Sequence, residues 1–273
     1  TLEFAPIFNV AVPFIDRHLD EGRADKDAIR TIDESVTYGQ LAERVNRSGN
    51  LFKSLGIEKG DRILMYVTDC PAFFYAFFGA IKAGFIPEPV NTMLRTDDYR
   101  YLIDDSKCAV LIHSAEFSET VRDALAQTNH KPAHVMLAEG PDGLTGLMAG
   151  HGAALDAAPT SAMDDCFWLY SSGSTGYPKG VVHAHRDMVC TGYRVTVLTH
   201  GLNENDSFFS ASKLFHSYGF GNALTFPLWV GGTALLSDQK VSPAMSFELI
   251  EKLKPTAFYG VPTLYAQQLQ YLE

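Results

Sequence analysis

Cysteine is scarce in this chain, with four copies among 273 residues. No C-x-x-C pair is present, and no histidine pair has the spacing that would complete a zinc site. The pattern therefore favours buried or free thiols in a reducing compartment over a disulfide framework. The cysteines are far apart in the sequence, at Cys70, Cys108, Cys166 and Cys190.

Basic charge is also in short supply. The chain carries 22 Lys and Arg residues against 32 Asp and Glu residues, a formal net charge of −10. This balance argues against nucleic acid as a partner, because a phosphate backbone binds a basic surface. It does not exclude a nucleotide, since one local loop can hold a phosphate group whatever charge the rest of the surface carries.

Long apolar runs and a leader peptide are missing as well. The densest apolar run, residues 72–86, is too short for a membrane span and contains Lys82. No basic and apolar leader is visible, so nothing indicates secretion. From these absences we expect a cytoplasmic protein that has no membrane partner.

Helix and strand patterns alternate along the chain. Thr37 and Gln40 have the spacing of a capping box, and Gly56 is a suitable stop for the helix that they open. Residues 63–67 form a continuous apolar run typical of a buried strand. Residues 71–81 are apolar on every side, which favours a buried core helix over an aromatic ligand box. The alternation predicts an α/β fold with parallel-rich sheets covered by helices on both faces.

A domain boundary is expected near the middle of the chain. A length of 273 residues suits one large domain or two closely associated ones. Residues 139–163 are loose and rich in Gly, Ala and Pro, as linkers and surface excursions are. We therefore expect a first α/β subdomain at 1–163 and a second, incomplete one at 164–273.

The most distinctive stretch is Tyr170–Gly180, which reads YSSGSTGYPKG between two apolar runs. This arrangement predicts a loop between two short strands. Glycines allow a close backbone approach to a ligand, and successive backbone amides in such a turn form an anion-binding concavity. Lys179 adds a mobile positive charge suited to phosphate. A polyphosphate ligand would use all of these features together.

Two other interpretations of this stretch compete with a phosphate loop. One is a surface hairpin whose Ser and Gly residues are ordinary turn residues. The other is a kinase-type G-x-x-x-x-G-K-[ST] loop. Counted from Gly173, the second required glycine falls on Pro178, and Gly180 follows Lys179 where Ser or Thr is needed. The kinase-type spacing therefore fails.

The stretch closely resembles the phosphate loop of the adenylate-forming enzymes. This superfamily comprises acyl- and aryl-CoA synthetases, luciferases and peptide-synthetase adenylation domains, and its signature is S/T-S-G-S/T-T-G-x-P-K-G. Every fixed position matches. The resemblance extends over nearly the whole chain, and residues 215–227 and 258–265 look most like the benzoate- and hydroxybenzoate-CoA ligases.

The resemblance implies a ligase reaction in two steps. A carboxylate, here an aromatic one, attacks the α-phosphate of Mg-ATP to give an acyl-adenylate and pyrophosphate. The thiol of coenzyme A then displaces AMP to give a thioester. ATP, Mg²⁺ and coenzyme A are thus the implied cofactor and co-substrates.

The resemblance also implies roles for individual residues. Lys179 would offset charge on the leaving pyrophosphate, and His216 would stand near the substrate carboxylate and the α-phosphate. The alternative is that His216 is a structural histidine, whose hydrogen bonds are made in the core or at the start of a helix. The implied ATP-binding residues are Ser171, Ser172, Gly173, Ser174, Thr175, Gly176 and Lys179. The implied acid-binding residues are His216, Ser217, Tyr218, Gly219, Phe220 and Gly260.

Several family features do not occur in the sequence. It has no Tyr-Gly-x-Thr-Glu motif, whose glutamate holds magnesium in the family, so no metal ligand is expected here. The ribose-binding aspartate and the small C-terminal domain with its catalytic lysine are also missing. We therefore expect the N-terminal portion of a longer ligase, unable to complete adenylation alone. The alternatives are another acyl-CoA ligase, an adenylating domain, a kinase and a non-catalytic ligand-binding fragment. The sequence does not specify the ring substituent of the acid, and it leaves a homodimer open.

Overall fold

A computed structural model of the chain describes residues 2–171 and 176–272. Strands and helices alternate through these ranges, as predicted. The strands are β1 Asp27–Arg30, β2 Ser35–Thr37, β3 Arg62–Tyr66, β4 Ile86–Pro89, β5 Val110–His113, β6 His134–Leu137, β7 Asp165–Ser171, β8 Lys179–Ala184, β9 Ser207–Ser210, β10 Thr233–Leu235 and β11 Ala257–Tyr259.

The α-helices range from single turns to a helix of 17 residues. They are α1 Arg17–Asp20, α2 Tyr38–Ser54, α3 Pro71–Ala83, α4 Thr96–Ser106, α5 Ser118–Gln127, α6 Leu144–Leu147, α7 His185–Thr191, α8 Ser217–Phe220, α9 Phe226–Val230, α10 Pro243–Leu253 and α11 Pro262–Leu272. Short π-helical segments cover Val12–Asp16, Gly192–Thr199 and Gly221–Thr225, and 3-10 turns cover Ala115–Phe117 and Met148–Gly150.

The chain divides into two compact units. Unit 1 consists of Thr1–Val12, Ala42–Thr68 and Ala72–Asp187, and unit 2 consists of Pro13–Leu41, Asp69–Pro71 and Met188–Glu273. Each unit thus uses pieces that are distant in the sequence. The subdomain boundary expected within 139–163 stays a prediction.

Unit 1 is built on a four-stranded parallel sheet in the order β4-β3-β5-β6. All residues of β4 and β5 are buried, as is typical of strands in a parallel sheet. Helix α3 is also buried, including Phe73, Phe74, Phe77 and Phe78. The prediction of a core helix at 71–81 is therefore confirmed.

Unit 1 also contains the antiparallel pair formed by β7 and β8. Their register places Tyr170 opposite Gly180 and Ser171 opposite Lys179. The prediction of a loop between two short strands is confirmed by these bounds. Residues 172–175, in the middle of the predicted phosphate loop, lie outside the described residues.

Unit 2 is built on a five-stranded sheet in the order β11-β9-β10-β1-β2. Only β2 runs antiparallel to its neighbour within this sheet. Helix α10 packs against the sheet through Met245, Leu249 and Leu253, which meet Phe209 and Leu235 of the strands. The α/β class with parallel-rich sheets is thus confirmed.

Local signals in the sequence account for several element ends. The backbone N–H of Thr37 donates to Gln40 Oε1 at 3.0 Å, and that of Gln40 donates to Thr37 Oγ1 at 3.2 Å, so the predicted capping box is formed. Gly56 has a φ of 72°, the left-handed conformation expected after a helix end. None of the described helices has the length and apolarity needed to cross a membrane.

Candidate nucleotide and acid site

The hairpin of β7 and β8 carries the predicted phosphate-binding residues of unit 1. Ser171 and Lys179 are both exposed, and the Ser171 hydroxyl lies 3.5 Å from the carbonyl oxygen of Lys179. The Lys179 side chain therefore stands at the loop end of the hairpin, in contact with solvent. An exposed ammonium group there is available to a phosphate ligand.

Gly176 begins the return to β8 in a conformation that favours glycine. Its φ is 139°, and no atom lies within 4 Å of the place where a Cβ would stand. Glycine is thus required by the backbone and not by crowding. The predicted contacts of Ser172, Gly173, Ser174 and Thr175 fall outside the described residues and stay predictions.

The predicted acid-binding segment of unit 2 follows β9 and is anchored by polar contacts of Lys213 and Leu214. Lys213 Nζ donates to the carbonyl oxygens of Ser237 and Gln239 at 2.7 and 2.8 Å. The backbone N–H of Leu214 donates to Asp69 Oδ1 at 3.1 Å. Burial raises the pKa of Asp69 to about 6, although Lys213 and the Leu214 amide act to lower it. These bonds hold residues 213–214 in place just before His216.

His216 occupies the residue immediately before α8. Its backbone carbonyl accepts the N–H of Phe220 at 2.7 Å, while its side chain makes no capping bond to the described helix. The imidazole is exposed, and its ring packs against that of Phe215 at 4.3 Å between centroids. Partial burial lowers the pKa of His216 from its ordinary value, which favours the neutral ring at pH 7. Residues 213–221 therefore include a helical turn that begins after His216.

Tyr218 and Gly260 are brought together although 42 residues separate them in the sequence. The Tyr218 hydroxyl donates to the Gly260 carbonyl oxygen at 3.3 Å, and the Gly260 N–H donates to the Tyr265 hydroxyl at 2.8 Å. The Tyr218 ring also meets Tyr259 edge to face, with centroids 6.4 Å apart. The result is a cluster of tyrosines beside the predicted acid-binding residues.

Gly219 and Phe220 occupy the buried side of the same helical turn. A Cβ on Gly219 would lie 2.2 Å from the carbonyl oxygens of both Ser212 and Lys213, so only glycine fits there. Phe220 is 5% exposed, whereas Ser217 and Tyr218 are exposed. The turn therefore presents Ser217 and Tyr218 outward while Gly219 and Phe220 secure it from within.

Sequence reasoning missed the supporting residues of this segment. Tyr259 and Tyr265 lie in residues 258–265, the stretch that resembles the family. Their aromatic side chains could therefore have been predicted to contact Gly260. Asp69 had no such signal, because it lies 145 residues before the amide that it holds. Within residues 2–171 and 176–272, no group of three or more His, Cys, Asp or Glu side chains is placed to hold a metal ion.

The sequence model of the AMP-binding enzyme family matches residues 16–273. The chain belongs to this family. Benzoate–CoA ligase of Thauera aromatica is 43% identical to it over 265 residues, which cover 96% of this chain and 50% of the relative. The 4-hydroxybenzoate–CoA/benzoate–CoA ligase of Rhodopseudomonas palustris is 37% identical over 269 residues, covering 96% and 49%.

Solved structures of AMP-binding enzymes have the same fold. A benzoate CoA ligase from Burkholderia xenovorans matches with a TM-score of 0.89 and 37% identity, over 96% of this chain and 52% of that one. An anthranilate CoA ligase in complex with anthranoyl-AMP matches with a TM-score of 0.92 and 32% identity, over 96% and 51%. The predicted superfamily and its α/β large-domain fold are thus confirmed. The chain spans about half the length of the curated relatives that it matches.

Proposed function

We propose that this chain is part of an ATP-dependent ligase that converts benzoate or a hydroxybenzoate into its coenzyme A thioester. The observation that carries the proposal is the hairpin register, which sets Ser171 opposite an exposed Lys179 at the two ends of a phosphate-loop signature. The relatives named above support the aromatic substrate class, since they act on benzoate and hydroxybenzoate. The cytoplasm is the proposed location.

In the first step a carboxylate oxygen of the acid attacks the α-phosphorus of ATP. A new P–O bond forms as the bond to pyrophosphate breaks, and the acyl-adenylate results. Such a displacement depends mainly on positioning and on neutralising charge. We assign Ser171 and the loop residues that follow it to hold the outer phosphates, and Lys179 to offset negative charge on the departing pyrophosphate.

In the second step the coenzyme A thiolate attacks the acyl carbonyl carbon, and AMP departs with the bonding electrons. The neutral His216 ring is suited to orient the acid, because a carboxylate is already ionised at neutral pH and needs no general base. The residues that hold Mg²⁺ and coenzyme A are proposed to lie in the remaining half of the longer protein.

The acid would contact Ser217 and Tyr218, the two outward side chains of α8. Aromatic rings of Tyr218 and Tyr259 supply the apolar surface that a flat ring binds, with few polar groups to fix its orientation. Gly219, Phe220 and Gly260 complete the proposed acid-binding set. Gly260 contributes through its carbonyl group, which holds the Tyr218 hydroxyl.

A pyrophosphate-release assay on the complete protein tests this function. With ATP, Mg²⁺ and coenzyme A, a panel of substituted benzoates should release pyrophosphate and AMP, and octanoate and acetate should release far less. ADP formation would instead indicate phosphoryl transfer to the substrate. Equal rates with all acids would rule out the aromatic preference. The 273-residue chain by itself is proposed to bind ligands without completing adenylation. Calorimetry with ATP and benzoate would measure this binding.

A further inference from the structure

We propose that Tyr101 and Asp105 on α4 are positioning residues that hold Ser171 and Lys179 in the arrangement needed to bind ATP. The inference rests on the proposed function, because it assigns the nucleotide phosphates to this hairpin. It concerns only the described ends of the hairpin loop. We call the contacts of Tyr101 and Asp105 with the hairpin the α4 clasp.

The first contact of the α4 clasp is made to strand β7. The hydroxyl of Tyr170 donates to Asp105 Oδ2 at 2.9 Å. Tyr170 is the residue before Ser171, so this bond fixes the strand one residue from the first predicted phosphate ligand. A bond to an ionised carboxylate is stronger than one between neutral groups.

The second contact is made to the segment that returns to β8. The hydroxyl of Tyr101 donates to the carbonyl oxygen of Pro178 at 3.1 Å, and its ring stacks on that of Tyr177. The two ring centroids are 4.4 Å apart and the planes differ by 15°. Pro178 precedes Lys179, so this contact fixes the chain directly before the proposed pyrophosphate ligand.

The two contacts belong to one rigid element. Tyr101 and Asp105 are four residues apart and therefore lie on the same side of α4, one turn from each other. The Tyr101 hydroxyl is also 3.4 Å from Asp105 Oδ1, which links the two side chains. The opposite side of the helix is anchored in the core of unit 1 by Tyr99, Leu102 and Ile103. Helix α4 therefore connects both ends of the loop to the core of unit 1.

The base of the two-stranded sheet formed by β7 and β8 packs on unit 1, where Phe167 meets Phe77 edge to face. At its loop end Ser171 and Lys179 are exposed, and the contacts of Tyr101 and Asp105 reach the residues next to them. The described pairing of the hairpin reaches as far as Ser171 and Lys179. Holding both ends before ATP arrives reduces the ordering cost of binding, which is the general advantage of a preorganised site.

The α4 clasp is suited to binding more than to overall stability. Tyr177 is 61% exposed and Asp105 is exposed, whereas Tyr101 is half-buried and also packs against the core of unit 1. Tyr101→Phe keeps the ring and is therefore the variant that isolates the hydrogen bond. Surface substitutions usually change the free energy of unfolding by less than about 0.5 kcal/mol. A defect in nucleotide binding without a loss of stability is therefore the signature of this role.

The test uses steady-state kinetics of acid-dependent pyrophosphate release by the complete protein. The Tyr101→Phe variant keeps the ring stack and loses the bond to Pro178, and we expect its KM for ATP to rise about threefold. The double variant Tyr101→Ala/Asp105→Ala loses both contacts, and its KM for ATP should rise about tenfold or more. The KM for the aromatic acid should stay within about twofold of the original value. Asp105→Asn keeps an acceptor oxygen and should recover part of the affinity lost in Asp105→Ala.

Asp104→Ala is the matched control. Asp104 is the neighbour of Asp105 on α4, but it accepts the backbone N–H groups of Asn129 and His130 at 2.9 and 2.8 Å instead of contacting the hairpin. Its removal should lower stability without changing the KM for ATP. An unchanged KM for ATP in the double variant, or an equal rise in Asp104→Ala, would overturn the proposal.

Tryptic cleavage after Lys179 separates this inference from the proposed function. The double variant should be cut at Lys179 several times faster than the original protein, and Asp104→Ala should not. If the original protein releases no pyrophosphate with any acid, the proposed function fails, and the cleavage rates still decide whether the α4 clasp positions Lys179. Equal cleavage rates in all variants would refute the α4 clasp whatever the activity.

Discussion

Ser171 lies directly opposite Lys179 across β7 and β8, at the last described pair of the hairpin. The serine hydroxyl and the lysine ammonium therefore emerge at the same end of the hairpin although eight residues separate them in the sequence. The antiparallel register, and not proximity along the chain, is what makes them neighbours. A ligand that uses both groups must bind at this end.

Removing the charge of Lys179 should impair the first step of the reaction. We expect Lys179→Ala to lower kcat/KM for acid-dependent pyrophosphate release by about 100-fold, the typical effect of deleting one charge-stabilising donor. Lys240→Ala, which removes an exposed lysine from unit 2, is the control and should be near neutral. Comparable losses in both variants would contradict a specific role for Lys179.

His216 should titrate below the ordinary range of histidine. Partial desolvation lowers the pKa of its ring, so protonation should occur below pH 6.5 and the ring should be neutral at pH 7. An NMR titration of the imidazole protons, with His216→Gln to assign the signal, measures this directly. A midpoint above pH 7 would show that a neighbouring acid, and not desolvation, controls the ring.

Gly219→Ala should distort the acid-binding turn. The added methyl group would lie 2.2 Å from two backbone carbonyl oxygens, which cannot move aside as a flexible side chain can. Overpacking of this kind costs about 1–3 kcal/mol in unfolding free energy, and benzoate binding should weaken with it. Gly150→Ala is the matched control, since no atom lies within 4 Å of its Cβ position, and it should change stability by less than about 0.5 kcal/mol. Urea denaturation of both variants gives the comparison.

The buried Glu88 should make the chain less stable as the pH rises. Its side chain is fully buried, and burial raises its pKa to about 8 against the pull of Arg62, whose Nε is 3.9 Å away. The folded state thus holds a proton that the unfolded state releases near pH 4.5, so the unfolding free energy should fall between about pH 5 and pH 8. The expected contribution is on the order of 3 to 5 kcal/mol.

Urea denaturation of the original protein and of Glu88→Gln at several pH values tests this expectation. The glutamine variant keeps the shape of the side chain and has no proton to lose, so its stability should vary less over the same range. Parallel curves for the two proteins would show that Glu88 is not the responsible group.

Local signals in the sequence were sufficient for much of the fold. The capping box at Thr37 and Gln40, the helix stop at Gly56 and the continuous apolar run at 63–67 each depend on neighbouring residues, and each is found as predicted. Strands β2 and β6 were not predicted. Both are short, and β6 alternates poorly between buried and exposed residues because it lies at the edge of its sheet.

The sequence by itself determined the family, the α/β class and the hairpin that carries Lys179, because contiguous motifs and short-range periodicity specify all three. The tertiary structure alone decided which distant residues support them. Asp69 holds the segment before His216, and Asp105 and Tyr101 hold the two ends of the hairpin. Such contacts depend on strand order and helix placement, which bring together residues that no local pattern relates.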